Sequence, residues 1–233
     1  MTDFQRVCEF NKDFDFPIFN ADDCSQEAAD CYKLRIYLIN EEISELLAAV
    51  TSNDIIEEMD ACGDILYVAY GMAYSYGCNF DEALINSFDT VANYGQSLFK
   101  RLIYQSRRKT EMLATICKLR DELNASTIVD TSLTIAQHII FCIYEYQFNM
   151  SYNSDYIFNI VHLSNMSKLC DDEETAAKTV EMYRSKYADR FTSPYYYKLA
   201  SGKYVVKDRD TQKALKSIKY TKVALDLSLA RLV

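Results

Sequence analysis

The chain has 233 residues, of which 49% are apolar and 25% charged, with a formal net charge of −9 and only 5 Gly and 2 Pro. So few turn-formers exclude a many-stranded sandwich or barrel, and the acidic balance excludes broad, sequence-independent binding to nucleic acid. No apolar run approaches the ~20 residues of a membrane span. The start, Met1-Thr-Asp-Phe-Gln-Arg6, has no basic stretch followed by an apolar one. The expectation is a cytoplasmic protein without membrane or nucleic-acid partners.

Phe4, Phe10, Phe14, Phe16 and Phe19, with Pro17, read as a short helix running into an extended apolar arm over residues 1–26. Helical spacing of Leu34, Ile36, Leu38, Ile39, Ile43, Leu46 and Leu47 then predicts a helix over 27–50. Thr51-Ser-Asn-Asp54 breaks it and caps a second helix, which stops at Gly77. Further helices are predicted over 81–107, 109–124, 128–149, 155–168 and 172–189. The tail changes character. Tyr195–Tyr197, Lys203–Val206, the polar Asp208–Thr211 and Ala214–Ile218 read as a β-hairpin with a polar turn. The predicted class is all-α, a four-helix-bundle-like core with a small C-terminal hairpin, in one domain spanning 1–233.

A shift of 74 positions lays Ile65–Asp89 over Ile139–Leu163, with identities at Ile65/Ile139, Tyr70/Tyr144, Asn79/Asn153 and Asp81/Asp155. Both copies read as apolar helix, Asn-x-Asp cap, second helix. This divides the chain into a first repeat over 27–107, a degenerate second repeat over 108–169, and a helix-plus-hairpin tail over 170–233.

The 8 cysteines form no C-x-x-C pair and are expected as free thiols in a reducing compartment. Zinc is not expected, since His138 and His162 have no cysteine at ligand spacing. His138, on an apolar helix, reads as structural.

Glu41 and Glu45 share one helical face, with Glu42 flanking it, and Glu57, Asp60 and Asp64 share a face of the next helix. The short connection makes these helices antiparallel neighbours, so the carboxylates could converge across their interface. Like charges beside apolar surface are costly unless a cation neutralises them, and Mg²⁺ is the natural oxygen-seeking choice, with Mn²⁺ a possible substitute. A solvated acidic face is the alternative from spacing alone. Phe10, Phe14, Tyr67 and Tyr70 flank these elements and are candidate pocket walls. Gly63 and Gly71 lie inside an apolar helix, where close packing is expected. Arg107-Arg-Lys109 reads as a solvated run.

The segment Glu41-Glu42-Ile-Ser-Glu45, followed by Asp60-Ala-Cys-Gly-Asp64-Ile-Leu-Tyr-Val-Ala-Tyr-Gly71, resembles the MazG-like all-α nucleoside triphosphate pyrophosphohydrolases. The similarity extends to their phosphoribosyl-ATP pyrophosphohydrolase-like branch in phages and large viruses. Three segments in order carry it: Val7–Pro17, Val161–Leu169, and Gly202–Asp208 with Leu215–Tyr220. The resemblance implies Mg²⁺-dependent attack of water between the α- and β-phosphates, giving a nucleoside monophosphate and pyrophosphate. It makes Glu41, Glu42, Glu45 and Asp64 metal ligands and catalytic carboxylates, with Asp60 as a further ligand. Asn165 and Lys168 would contact phosphate, joined on the substrate side by His162, Phe14, Tyr67 and Lys216. A pyrimidine deoxynucleotide, dUTP or dCTP, is the substrate this resemblance favours. Phosphoribosyl-ATP or a modified nucleotide is the alternative among enzymes, and a catalytically silent nucleotide-binding or scaffold protein the alternative outside them.

Two departures stand out. The family's second motif is Glu-x-x-Asp, which puts its glutamate at Ala61, so Asp60 or Glu57 must substitute. The His162–Lys168 motif also follows the Tyr-Gly helix only after a long insertion. The repeat accounts for this: the second copy has His138 at the place of Asp64, Thr134 at that of Asp60, and Glu122 as the counterpart of Glu45. The first has Asp89–Tyr94 at the place of Leu163–Lys168. The expectation is a fused pseudo-dimer with one site assembled across its halves, monomeric or paired with a second pseudo-dimer.

Overall fold

The structure, a computed structural model, describes residues 1–81 and 109–232. The predicted helix over 81–107, with Asp89–Tyr94, Arg107 and Arg108, lies outside the described residues except for Asp81. The described elements are α1 (Asp3–Asp13), α2 (Gln26–Ser52), α3 (Ile55–Ser75), α4 (Lys109–Ala125), α5 (Val129–Asn149), α6 (Ser154–Met166), α7 (Glu173–Lys186), β1 (Pro194–Lys198), β2 (Tyr204–Asp208) and a last short helix, α8 (Leu227–Ala230). The helices stop within a few residues of their predicted bounds, and α8 was not foreseen.

Local chemistry sets the breaks. Thr2 and Gln5 form a capping box at α1, and the Ser25 hydroxyl accepts from the Ala28 N–H to start α2. Asn53 closes α2 in the left-handed region, at φ 57°, and Asp54 immediately accepts from the Ile56 and Glu57 N–H groups to open α3. The chain thus reverses in two residues, and α2 and α3 lie side by side.

Helix α3 is the central element, packed against α1, α2, α5 and α6. Nearly all of it from Glu58 to Ser75 is buried, which its dense run of Leu, Ile, Tyr, Ala and Met requires. Gly63 sits where α3 meets α6. A Cβ there would come within 2.7 Å of Val161 Cγ2, so a side chain would push the two helices apart. Helices α3 and α5 each have 21 residues and start 74 positions apart. Tyr70 and Tyr144, matched by that shift, meet hydroxyl to hydroxyl at 3.2 Å.

Strands β1 and β2 pair antiparallel, with Tyr196 opposite Val206, around a turn at 199–203 in which Gly202 takes φ 87°. The predicted third segment, 214–218, forms a single bridge between Ala214 and Lys207 rather than a strand. The reason is the Asp208 carboxylate. It is fully buried and accepts from the Ser193 N–H and from the Thr211 N–H and hydroxyl, which curls the chain at the strand end. Val206 and Leu215 then pack with Cys170, Val180 and Tyr183 in a second small core under the hairpin. That core fixes the loop bearing Lys213 and Lys216. All 8 cysteines are free thiols, as expected. Among the described residues no helix is long and apolar enough to cross a membrane.

Candidate active site

The α2 and α3 carboxylates come together where the two helices lie alongside each other. Burial, then the charges of Asp64, Glu45 and Glu41, push the Glu42 carboxyl up to about 9. Asp60 is pushed up to about 7 by burial and by Asp64, Glu57 and Glu45. Asp64 is pushed up to about 6 by burial, against the pull of Lys168, with Glu45 adding repulsion. The Glu45 charge acts on all three, so the carboxyls form one cluster, with Glu42, Asp60 and Asp64 withdrawn from water and Glu45 exposed at its edge. Glu57 stands exposed in the first turn of α3 at its rim.

Two amines face the cluster. Lys168, two residues beyond α6, donates to Asn165 Oδ1, while Asn165 Nδ2 is anchored to the Val161 carbonyl at 3.1 Å. Burial pushes the Lys168 ammonium down to about 8, opposed by Asp64, with Lys216 adding repulsion. Lys216, from the loop after the hairpin, pulls on both Asp60 and Asp64. Its ammonium lies 4.6 Å from the centre of the Tyr220 ring. Carboxylates of the first half thus meet the lysine and asparagine of the second, across the close α3–α6 contact that Gly63 permits.

Of the other residues picked out from the sequence, Tyr67 borders the cluster, its hydroxyl pushed up by burial and then by the Asp64 charge, while the rest are packed away from it or stand at the surface. His162 is buried beside α1: its Nδ1 lies 3.1 Å from the Tyr67 hydroxyl and its Nε2 3.7 Å from a Glu9 oxygen. Tyr67 is itself buried, edge-on to Phe10 at 5.3 Å and stacked on Phe158 at 5.7 Å. The Phe14 ring is fully enclosed, 4.1 Å from Phe10, and belongs to the core rather than to an open wall. His138 is exposed, not packed, and Glu122 pairs with Lys118 at 3.6 Å.

Sequence reasoning missed two cations. Lys213 Nζ lies 2.9 Å from Glu41 Oε2, and Arg190 reaches Glu41 Oε1 at 3.6 Å. Neither stands in a periodic segment. Lys213 follows the Asp208 turn and Arg190 follows α7, and only the folded tail brings them to α2.

Among the described residues, no three Asp, Glu, His or Cys side chains stand as placed in a geometry that would hold a metal ion. The donor chemistry nevertheless fits a hard divalent cation: the cluster is all carboxylate oxygen, and Asp60 Oδ1 is buried with no hydrogen-bond partner. Closing around a cation would take rotation of the long glutamate side chains, including release of Glu41 from Lys213 and Arg190.

A family model described as phosphoribosyl-ATP pyrophosphohydrolase matches residues 7–89. That span takes in α1 from Val7 onward and all the clustered carboxylates, and ends before Asn165 and Lys168. The uncharacterized protein L479 of Acanthamoeba polyphaga mimivirus is 33% identical over 237 residues, covering 95% of this chain and 93% of its own length. No solved structure matches.

Proposed function

The chain belongs to the phosphoribosyl-ATP pyrophosphohydrolase family of MazG-like proteins, and from that premise we propose that it is a Mg²⁺-dependent nucleoside triphosphate pyrophosphohydrolase, releasing a nucleoside monophosphate and pyrophosphate. The observation that carries this reading is the buried, unpartnered Asp60 Oδ1 within a carboxylate cluster that faces Lys168. A buried carboxylate oxygen without a donor costs free energy unless a ligand completes it.

Glu41, Glu42, Glu45, Asp60 and Asp64 would hold the cation. Mg²⁺, when bound, supplies Lewis-acid polarisation of phosphate oxygens and a more acidic bound water. Lys168 and Asn165 bind the phosphate chain, Lys168 as a point charge held in place by the asparagine. Lys216 closes the site from the tail. One of the glutamates accepts a hydrogen bond from the attacking water and orients it for attack between the α- and β-phosphates. Two halves descended from a duplication would then share one site, the first giving carboxylates and the second the phosphate contacts. Tyr70 meeting Tyr144 across the α3–α5 packing supports that reading.

The test is pyrophosphate release over a panel of dNTPs, dUTP and NTPs with Mg²⁺ or Mn²⁺, beside Glu45→Ala and an EDTA control. Pyrimidine deoxynucleotides head the panel on the resemblance alone, with phosphoribosyl-ATP added. Metal-dependent release that Glu45→Ala abolishes is the expected result. One observation favours a second reading: Glu41 is engaged by Lys213 and Arg190. A protein that binds nucleotide without turnover would keep that pairing, and would show Mg²⁺-dependent thermal stabilisation by a nonhydrolysable triphosphate with no pyrophosphate released.

A further inference from the structure

A cavity of about 770 Å³, lined by none of the clustered carboxylates, opens between the N-terminal arm, the first half of α2 and the hairpin. Arg35 and Lys207 line it, and both are more than nine-tenths buried. Among the described residues neither meets a carboxylate within 4.0 Å. Arg35 donates from Nε to the Ser75 hydroxyl and from Nη2 to Asn11 Oδ1, both at 2.8 Å, and its guanidinium is also hydrogen-bonded to the Cys31 side chain. Its Nη1 is pressed so close to α3 that a Cβ at Gly71 would stand 2.6 Å from it. Lys207 has its ammonium 4.2 Å from the centre of the Phe16 ring, and the Arg35 guanidinium lies over that same ring at 5.4 Å.

Two like charges have thus been taken out of water beside one another. Burial and the Arg35 charge push the Lys207 ammonium down to about 8, with Asp15 pulling the other way. Buried charges are ordinarily paired, and an uncompensated pair of cations is among the costlier arrangements a fold can hold. The rest of the lining does not compensate. Among the described residues it carries six Lys or Arg side chains against three carboxylates, in a chain whose net charge is −9. The aromatic faces of Phe19 and Phe191 share the same walls. The volume is that of a pocket for a small organic ligand.

We propose that this cavity is a second ligand site, separate from the carboxylate cluster, that takes a nucleotide: an anionic group between Arg35 and Lys207 and a flat ring against the aromatic wall. The proposal does not depend on pyrophosphohydrolase activity, and its ligand needs no metal. It has one consequence for the neighbouring cluster. Arg190 and Lys213 line the cavity and also hold Glu41. An anion in the cavity competes for those two cations and loosens their grip on Glu41, so occupancy of one site is felt at the other.

The probe is ATP in excess EDTA, followed by calorimetry on the full chain. Binding is expected in EDTA, weakened at least tenfold by Lys207→Met and unchanged by Glu45→Ala. A readout on the wild-type chain covers the case in which Lys207→Met fails to fold. Cys31 lines the cavity whereas Cys24 is exposed outside it, so ATP should slow alkylation of Cys31 and leave Cys24 unaffected. Stoichiometry with a nonhydrolysable dUTP analogue and Mg²⁺ separates two sources of the nucleotide. Two molecules per chain mean an independent ligand. One per chain, weakened by both Lys207→Met and Glu45→Ala, means that a single molecule reaches across Glu41 from the cluster into the cavity, and overturns the assignment of a separate second site. Cys31 alkylation indifferent to ATP with or without Mg²⁺, together with unaltered nucleotide binding in Lys207→Met, overturns the proposal.

Discussion

Glu58 and Asp60 stand two residues apart on α3, each with a carboxylate oxygen shut off from water, and they are treated in opposite ways. Glu58 takes the hydroxyls of Tyr146 and Tyr152, both at 2.7 Å, and the ammonium of Lys109 at 2.6 Å. Asp60 leaves Oδ1 with no donor and is surrounded by Asp64, Glu57 and Glu45. Burial alone therefore separates nothing. A buried carboxylate whose neighbours satisfy it ties α3 to α4 and α5. One whose neighbours repel it is kept for something not yet bound.

The largest expected effect breaks the second kind. Glu45→Ala and Lys168→Ala should each lower pyrophosphate release by on the order of 10²–10³ or more, the scale of losing a charge-stabilising group at a reacting phosphate. Mixing the two inactive chains should restore nothing, because both residues belong to one site in one chain. Recovered turnover on mixing would show instead that separate chains complement each other. Glu45 is exposed, so its loss should leave thermal stability nearly untouched.

The first kind breaks differently. Glu58→Ala strands two buried hydroxyls and a partly buried ammonium, and should cost on the order of 3 kcal/mol in denaturant unfolding. Asp60→Asn should do the reverse in EDTA. It removes a charge from a repelling cluster, so the melting temperature rises while the stabilisation gained on adding Mg²⁺ shrinks. If Asp60→Asn destabilised the metal-free protein as Glu58→Ala does, the contrast between the two residues would be lost.

Much of this was legible before folding. The helix breaks at Asn53 and Asp54 follow from cap chemistry, and the facing carboxylates follow from spacing plus a two-residue reversal. Gly63 was readable as a packing position, since a glycine within an apolar helix usually marks a close approach. Side-chain direction was not readable. His162 shares a helical stripe with Asn165 and Lys168 in sequence, yet it turns toward Glu9 and Tyr67. Phe14 reads as arm and becomes core, because Phe10 and Phe16 enclose it. Lys213, Arg190 and Lys207 come from the tail, where contacts depend on how the hairpin folds over α2 and no periodicity announces them. Glu58 could have been singled out only by knowing which residues of α5 and the turn after it would reach it.

The smallest effect bears on the cluster as a whole, through pH. Glu42, Asp60 and Asp64 are raised above their ordinary 3.8 to 4.5, to about 9, 7 and 6. The folded chain therefore binds more protons than the unfolded chain between those limits, and the stability these groups contribute is complete below the unfolded values and lost as pH rises through the folded ones. Lys168 and Lys207 carry the opposite sign. Each is depressed from 10.5 to about 8, so the folded state binds fewer protons than the unfolded state from about pH 8 upward, which offsets the loss there. In EDTA the melting temperature should accordingly fall from about pH 5 to pH 8 and flatten above it. Saturating Mg²⁺ should remove most of the fall, since a cation among the carboxylates replaces the proton that otherwise relieves them. A melting temperature that is level or rising over pH 5–8 in EDTA would mean that Glu42, Asp60 and Asp64 are neither held out of water nor crowded by like charge in solution. Asp60 would then differ from Glu58 only in lacking a donor.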